Sequence, residues 1–240
     1  MINILILIKI LNMNKKLNYG RHIISKFAKE SRYKSVLDLG AGQGIDLDIF
    51  KKHQPDIKTY AVENWVSNIK ILEKNGHVVC GRDIEKETLP FNDNSIDCIV
   101  LNQILEHTKD IFWIIHECTR VLSLSGSLII GVPNLAALHN RAFLLFGRQP
   151  TCIRTNSAHV RGFTMNGVRD FMNIFPGYKL YDIKGSNFYP FSPFLALPLS
   201  RIFPQFSVGL FFKFTKDAKY NDEFILYPAK EKLATNFFIG

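Results

Sequence analysis

The chain has 240 residues, 47% of them hydrophobic, and a mean hydropathy of +0.02. That is enough for one α/β domain with an appended cap and too little for two independent cores, so a single domain over 1–240 is expected, with its core at about 20–135 and insertions and a cap at about 136–215. The formal net charge is +9, and the excess sits late: residues 136–240 hold 13 basic against 6 acidic residues. Such a surplus suits an anionic substrate, a membrane surface or nucleic acid, with a merely solvated surface as the plain alternative.

Cys80, Cys98, Cys118 and Cys152 are far apart with no C-x-x-C pair. They read as small buried hydrophobes in a reducing compartment and argue against a zinc site or a disulfide frame. The N-terminal run from Ile2 to Leu11 is broken by Lys9 and is about half the ~20 residues of a membrane span. A cytoplasmic chain is expected, and Met13 offers an alternative start.

The spacing of Ile23, Ile24, Phe27 and Ala28 predicts an amphipathic helix within 18–33. Val36 to Leu39 predicts a buried strand running into a turn with glycines at 40, 42 and 44, after which Asp46 to Lys52 starts a helix. Such a turn lets main-chain N–H groups approach a ligand. A dinucleotide fingerprint, G-x-G-x-x-G, fails in both registers, because its third glycine would fall on Ile45 or Leu47.

A second strand, KTYAVE, ends at Glu63, where a carboxylate suits a ribose diol because both its oxygens accept hydrogen bonds. A helix to Asn75 is stopped by Gly76, and a short third strand ends near Asp83. Pro90 to Ser95 is a loop, a fourth strand covers 98–101, and 102–107 occupy its carboxyl end and a following helix. Residues 111–122 predict a further helix, and Ser125-Gly126 a turn into the strand SLIIGVPN.

The pattern D-x-G-x-G-x-G from Asp38, with Glu63, Asp83 and the Leu105-Glu106-His107 block at successive strand ends, resembles class I S-adenosylmethionine-dependent methyltransferases. It is most similar to the subgroup that includes ubiquinone-pathway and glycan- or lipid-modifying enzymes. The resemblance implies a Rossmann-like doubly wound α/β sheet of about seven strands, mostly parallel with an antiparallel last strand. It also implies S-adenosyl-L-methionine as cofactor, with Asp38, Gly40, Gly42 and Gly44 at its methionine part, Glu63 at its ribose, Asp83 and Ile84 at its adenine, and Asn102 near the sulfonium. Tyr19 or Arg21, on the leading helix, could face the cofactor as a lid.

His107 is the candidate catalytic residue, since a neutral imidazole beside a hydroxyl can take its proton. The plain alternative is that Glu106 and His107 cap or buttress a helix. Some relatives build a metal site from a carboxylate a turn earlier; Asn102 stands there, so no metal is expected. His159, in the element HVRGFT, is the second catalytic candidate and lies in a segment with Arg141, Arg148, Arg154 and Arg161 that suits an anionic group.

Helices are expected up to Gly147 and over NGVRDFMNIF, and strands over YKLYDIKG and VGLFFKFTK. Between those strands Pro190, Pro193, Pro198 and Pro204 rule out a spanning helix. The stretch reads as a hydrophobic cap over the site mouth, or as a peripheral membrane contact through 187–212. The expected activity is methyl transfer to a small-molecule, glycan or lipid-linked acceptor, most simply at a hydroxyl. An RNA acceptor is disfavoured, because Asn102 is followed by Gln-Ile-Leu; a non-catalytic cofactor-binding subunit is the other alternative, and the sequence leaves the oligomeric state open.

Overall fold

The computed structural model describes residues 16–233; the Ile2 to Leu11 run and the alternative start at Met13 lie outside the described residues. The chain alternates helix and strand: α1 (Arg21–Glu30), β1 (Ser35–Leu39), α2 (Ile45–His53), β2 (Lys58–Val62), α3 (Val66–Lys74), β3 (Val78–Cys80), β4 (Ile96–Asn102), α4 (Ile111–Val121) and β5 (Leu122–Pro133). Then come α5 (Leu138–Leu145), α6 (Met165–Met172), β6 (Tyr178–Ser186), α7 (Pro193–Ile202), β7 (Gly209–Lys216) and α8 (Glu223–Lys230).

The strands form one sheet in the order β3-β2-β1-β4-β5-β7-β6. β1 to β5 pair in parallel, whereas β7 is antiparallel to both β5 and β6. The expected Rossmann-like sheet is thus present. Its order reverses between β1 and β4, and in open parallel sheets the carboxyl ends at such a switch point leave a crevice for ligands.

Side-chain alternation along each strand divides the core between the two faces of the sheet. Val36 of β1, Cys98 and Val100 of β4 and Ile129 of β5 pack with Ile24 and Phe27 of α1 and Phe50 of α2. Leu37, Leu39, Ile99, Leu101, Leu128 and Ile130 pack on the other side with Ile114 and Cys118 of α4 and Met172 of α6. The same period-two rule turns Asp38 and Asn102 toward the α1–α2 face, and that sets the polar floor of the site.

Three local expectations change. No α-helix follows β4 directly; Leu105–His107 form a single 3-10 turn, and α4 is capped by Asp110, whose side chain accepts the Trp113 amide. The cap reading of Glu106 and His107 therefore fails. α4 passes straight into β5 at Leu122, which pairs with Ile96, so Ser125-Gly126 is an irregularity inside the strand and not the turn before it. The Pro-rich stretch forms the ten-residue α7 with Pro193 in its first turn, where a missing N–H is tolerated, and Pro198 inside it.

Cys98, Cys118 and Cys152 are buried and Cys80 half-buried, all as free thiols. Among the described residues no helix is long and apolar enough to cross a membrane.

Candidate active site

The glycine turn leaves β1 with φ of +70° at Gly40, +54° at Gly42 and +83° at Gly44, a region that side chains rarely adopt. The glycines are not equivalent. A Cβ on Gly42 would meet nothing within 4 Å, whereas one on Gly44 would lie 2.7 Å from Leu72 and 3.1 Å from His77. Gly42 thus faces open space, while Gly44 lets α2 pack against α3 and β3.

A cleft of about 370 Å³ opens over this turn, lined by Asp38, Gly40, Gly42, Asp46, Asn102 and Gln103, with Tyr19 and Arg21 along one side. The Arg21 guanidinium lies 4.8 Å from the centre of the Tyr19 ring. The leading helix therefore contributes to the cleft wall. A larger groove, of about 980 Å³ and lined by Arg32, Lys34, Asp56 and Asp97, lies at the amino ends of the strands, away from the switch point.

Four buried polar atoms around the cleft have no hydrogen-bond partner, Arg21 Nε, Asp46 Oδ1, Asn102 Oδ1 and Gln103 Nε2, although the first two form an ion pair. Buried polar groups are normally paired, so this convergence fits a polar ligand. The Asn102 amide donates to Asp46 Oδ2 at 2.7 Å and to the Tyr19 carbonyl at 3.1 Å, which ties β4, α2 and the leading segment together. Asp46 Oδ1 faces Arg21 Nε at 3.6 Å. Gln103 holds φ of +58°, a strained backbone position of the kind that gathers at functional sites.

Asp38 is buried, and its carboxyl is held well above the usual range, first by desolvation and then by the charges of Asp46 and Glu63, with Arg21 opposing. Burial likewise raises the Asp46 carboxyl, against the Asn102 amide and Arg21. Two carboxyls that give up their protons reluctantly, facing a glycine turn, suit an ammonium group, whose charge would favour ionisation.

The other expected cofactor residues stand at neighbouring strand ends. Glu63 follows β2 and accepts from Gly42 N at 2.8 Å through one oxygen, and from Asn64 N and Trp65 N at 2.9 Å each through the other. It is therefore also a brace for the glycine turn, and a diol would share or displace these bonds. Asp83 lies beyond β3, accepting from Glu85 N and pairing with Lys86 Nζ at 3.1 Å, contacts that keep its carboxyl below the usual range. Ile84 is half-buried against the core. None of these three lines the 370 Å³ cleft, which collects Asp38, Gly40, Gly42 and Asn102.

Just past Gln103, the Ile104 side chain packs under Gly40. Beyond it the structure brings His107 and His159 into edge-to-face contact, with ring centroids 4.6 Å apart. Val160 N and Arg161 N both donate to the Glu106 carbonyl, so the HVRGFT loop is pinned to the 3-10 turn. Burial pushes the Glu106 carboxyl up to about 7 and, with His159, lowers the His107 imidazole.

Asn102, the reason for expecting no metal, belongs to the Asp46 cluster, so that argument does not apply to Glu106, His107 and His159. Asp46 was not singled out in the sequence, although an acid in the first turn after the glycines was its signal. The stretch 187–212 lines no part of the cleft, and its last residues, Leu210 to Phe212, are buried in β7.

Residues 37–130 match a family model described as a methyltransferase domain. The chain is 27% identical over 126 residues to the demethylmenaquinone methyltransferase of Thermotoga maritima, covering 49% of this chain and 54% of that protein. It is 30% identical over 108 residues to an uncharacterised transposon protein of Streptomyces fradiae, covering 43% and 31%. The chain thus spans about half, or less, of these curated relatives.

Among solved structures, a SAM-dependent methyltransferase from Archaeoglobus fulgidus superposes with a TM-score of 0.57 at 14% identity, covering 86% of this chain and 99% of that one. The plantazolicin methyltransferase BpumL in complex with SAH gives 0.59 at 17% identity, covering 88% and 90%. The fold is that of the Rossmann-like methyltransferases. Residues 37–130, less than half of the chain, are thus similar to a methyltransferase domain, and relatives of the same stretch are described as S-adenosylmethionine-dependent methyltransferases.

Proposed function

We propose that the chain transfers a methyl group from S-adenosylmethionine to a hydroxyl of a small-molecule, glycan or lipid-linked acceptor. The observation that carries this reading is the cleft itself. An open Gly42, two reluctant carboxyls, the Arg21–Asp46 ion pair and the unpartnered Asn102 Oδ1 and Gln103 Nε2 meet at the β1–β4 switch point, and a pair of imidazoles stands beyond it. When bound, the cofactor supplies a methyl group already activated on a sulfonium. Asp38 and Asp46 would hold the ammonium of its methionine part, and Glu63 its ribose.

The chain's own share is alignment and exclusion of water, with His107 or His159 placed to take a proton from the acceptor. A small acceptor agrees with the name of the Thermotoga relative, and the arginines of 141–161 suit an anionic group on it.

Incubation with radiolabelled S-adenosylmethionine and separate lipid, glycan, small-molecule, protein and RNA extracts tests the reading. Label is expected in one of the first three. Label confined to RNA or protein would overturn the acceptor class, and tight cofactor binding without transfer to any fraction would favour a non-catalytic subunit.

A second reading concerns location. Leu145 and Phe146 at the end of α5 and Phe194 on α7 are 82%, 77% and 86% exposed. These two helices share a side of the molecule: the His139 and Tyr189 rings are 5.2 Å apart, and the Arg141 guanidinium sits 5.0 Å from the Phe206 ring. Exposed apolar tips beside exposed Arg148 and Arg201 support peripheral contact with an anionic membrane.

A further inference from the structure

Glu106 is 1% exposed, yet its Oε2 has no hydrogen-bond partner. A buried carboxylate oxygen left unpaired is costly, so the site calls for a positive partner. Two imidazoles, those of His107 and His159, stand beside it. One ligand-type atom each from Glu106, His107 and His159 lies within 4.8 Å of the others.

The outer contacts of the two rings matter as much as their proximity. His159 Nδ1 is 2.7 Å from the Cys152 carbonyl, so it carries the proton there and leaves Nε2 with a free lone pair. The His107 ring is likewise hydrogen-bonded to a main-chain carbonyl, that of Ala158. An imidazole that gives one N–H to a carbonyl and turns its other nitrogen inward is the usual state of a metal-ligating histidine. The two segments are locked in register by the Val160 and Arg161 amides on the Glu106 carbonyl, so only side-chain adjustment is needed to bring the three groups together.

We propose that Glu106, His107 and His159 bind a divalent first-row transition cation. Two imidazole nitrogens and one carboxylate oxygen favour zinc, cobalt or manganese over the all-oxygen sites of magnesium and calcium. Three protein ligands leave coordination positions open. Those positions lie next to the cleft, because Gln103 lines it and Ile104 packs on Gly40. A cation there would hold an acceptor oxygen and lower the pKa of its hydroxyl, so the alkoxide forms at neutral pH and the proton leaves to solvent, in place of direct transfer to His107 or His159. This role deepens the methyl-transfer reading and rests on it; the metal binding does not.

The test uses the whole chain stripped with chelator and titrated with cobalt(II), read by its visible absorption, and with zinc, read by calorimetry. About one equivalent is expected to bind. His107→Ala and Glu106→Gln are each expected to weaken zinc by more than about tenfold, at or beyond what loss of a mere supporting contact costs. His107 is exposed, so its variant keeps the fold, and thermal melts followed by circular dichroism check both variants. No saturable cobalt spectrum, or a spectrum unchanged in both variants, overturns the site. S-adenosylmethionine binding measured on the stripped protein separates the readings: retained cofactor binding with no metal binding sinks only the cation, and lost cofactor binding with intact metal binding sinks only the transferase.

Discussion

At the scale of single residues, the cleft makes two separable predictions. A carboxyl whose pKa is raised by burial keeps its proton until higher pH, so its protonated form contributes stability below the unfolded value and loses it as pH rises through the raised one. Binding of an ammonium group favours the ionised form and must expel that proton. S-adenosylmethionine affinity is therefore expected to climb with pH from mildly acidic conditions, by at most about tenfold per pH unit, and to level off once free Asp38 is ionised. Asp38→Asn is expected to flatten this rise; an equal slope in the variant would remove Asp38 from the ligand. The glycines give a second contrast. Gly42→Ala costs only the positive-φ strain, about 1–2 kcal/mol, because its Cβ meets no protein atom, and it is expected to weaken cofactor binding more than tenfold. Gly44→Ala adds the clash with Leu72 and His77 to the same strain, so its denaturation midpoint is expected to fall further. The reverse order would exchange their roles.

At the scale of elements, α4 shows how a helix fixes a loop that carries no regular structure. Arg120 Nε and Nη2 lie 2.7 Å from the two oxygens of buried Glu117, and the same guanidinium reaches the Leu89 and Phe91 carbonyls and Asp93. Glu117 also accepts from Leu89 N at 2.6 Å, so the residues before β4 are stitched to the helix. Removing one partner of a buried pair leaves the other charge uncompensated, so Arg120→Met is expected to destabilise the chain by about 3–5 kcal/mol in urea, and the double variant with Glu117→Gln by less. A single-variant loss under ~1 kcal/mol would mean the pair is solvated, as surface pairs are. Neither partner stands out in the sequence, where IFWIIHECTRVL reads only as a periodic helix. The contrast is general in this chain: β1, β4 and β5 are legible because branched apolar runs end at a glycine turn, at Asn102 and at Pro133-Asn134, and Asp38, Gly40 and Asn102 follow from those ends. What was not legible depends on contacts distant along the chain. Asp46 acquires meaning only when Asn102 reaches it from β4, and the approach of His159 to His107 shows only once its loop is pinned to Glu106. Ser125-Gly126 misled because its turn chemistry is used inside β5.

At the scale of the whole molecule, the basic surplus after residue 135 is not all surface charge. Lys213 and Lys216 are buried: the first donates to Ser31 Oγ, and the second to Asn94 Oδ1 and the carbonyls of Thr119 and Leu122, where it ties β7 to the end of α4. What remains is six arginines and five lysines, of which Arg141, Arg148, Arg154 and Arg201 lie exposed on or near the helices that present Leu145, Phe146 and Phe194. Apolar tips inserted into a bilayer contribute up to about 1.5–3 kcal/mol each, and a basic residue near an anionic leaflet about 1 kcal/mol. Neither term alone gives firm attachment, but together they reach a measurable partition coefficient. Cosedimentation with vesicles is therefore expected to be substantial when they contain an acidic phospholipid, weak on neutral phosphatidylcholine, and reduced by added salt. A Leu145→Ser, Phe146→Ser, Phe194→Ser variant is expected to lose at least about tenfold in partitioning on the acidic vesicles. Its cofactor affinity should stay unchanged, because none of the three residues lines the cleft. Equal binding to both vesicle types, or full retention in the triple variant, would leave these helices as a cover for an apolar acceptor instead, and the lipid extract would then be the first place to look for label.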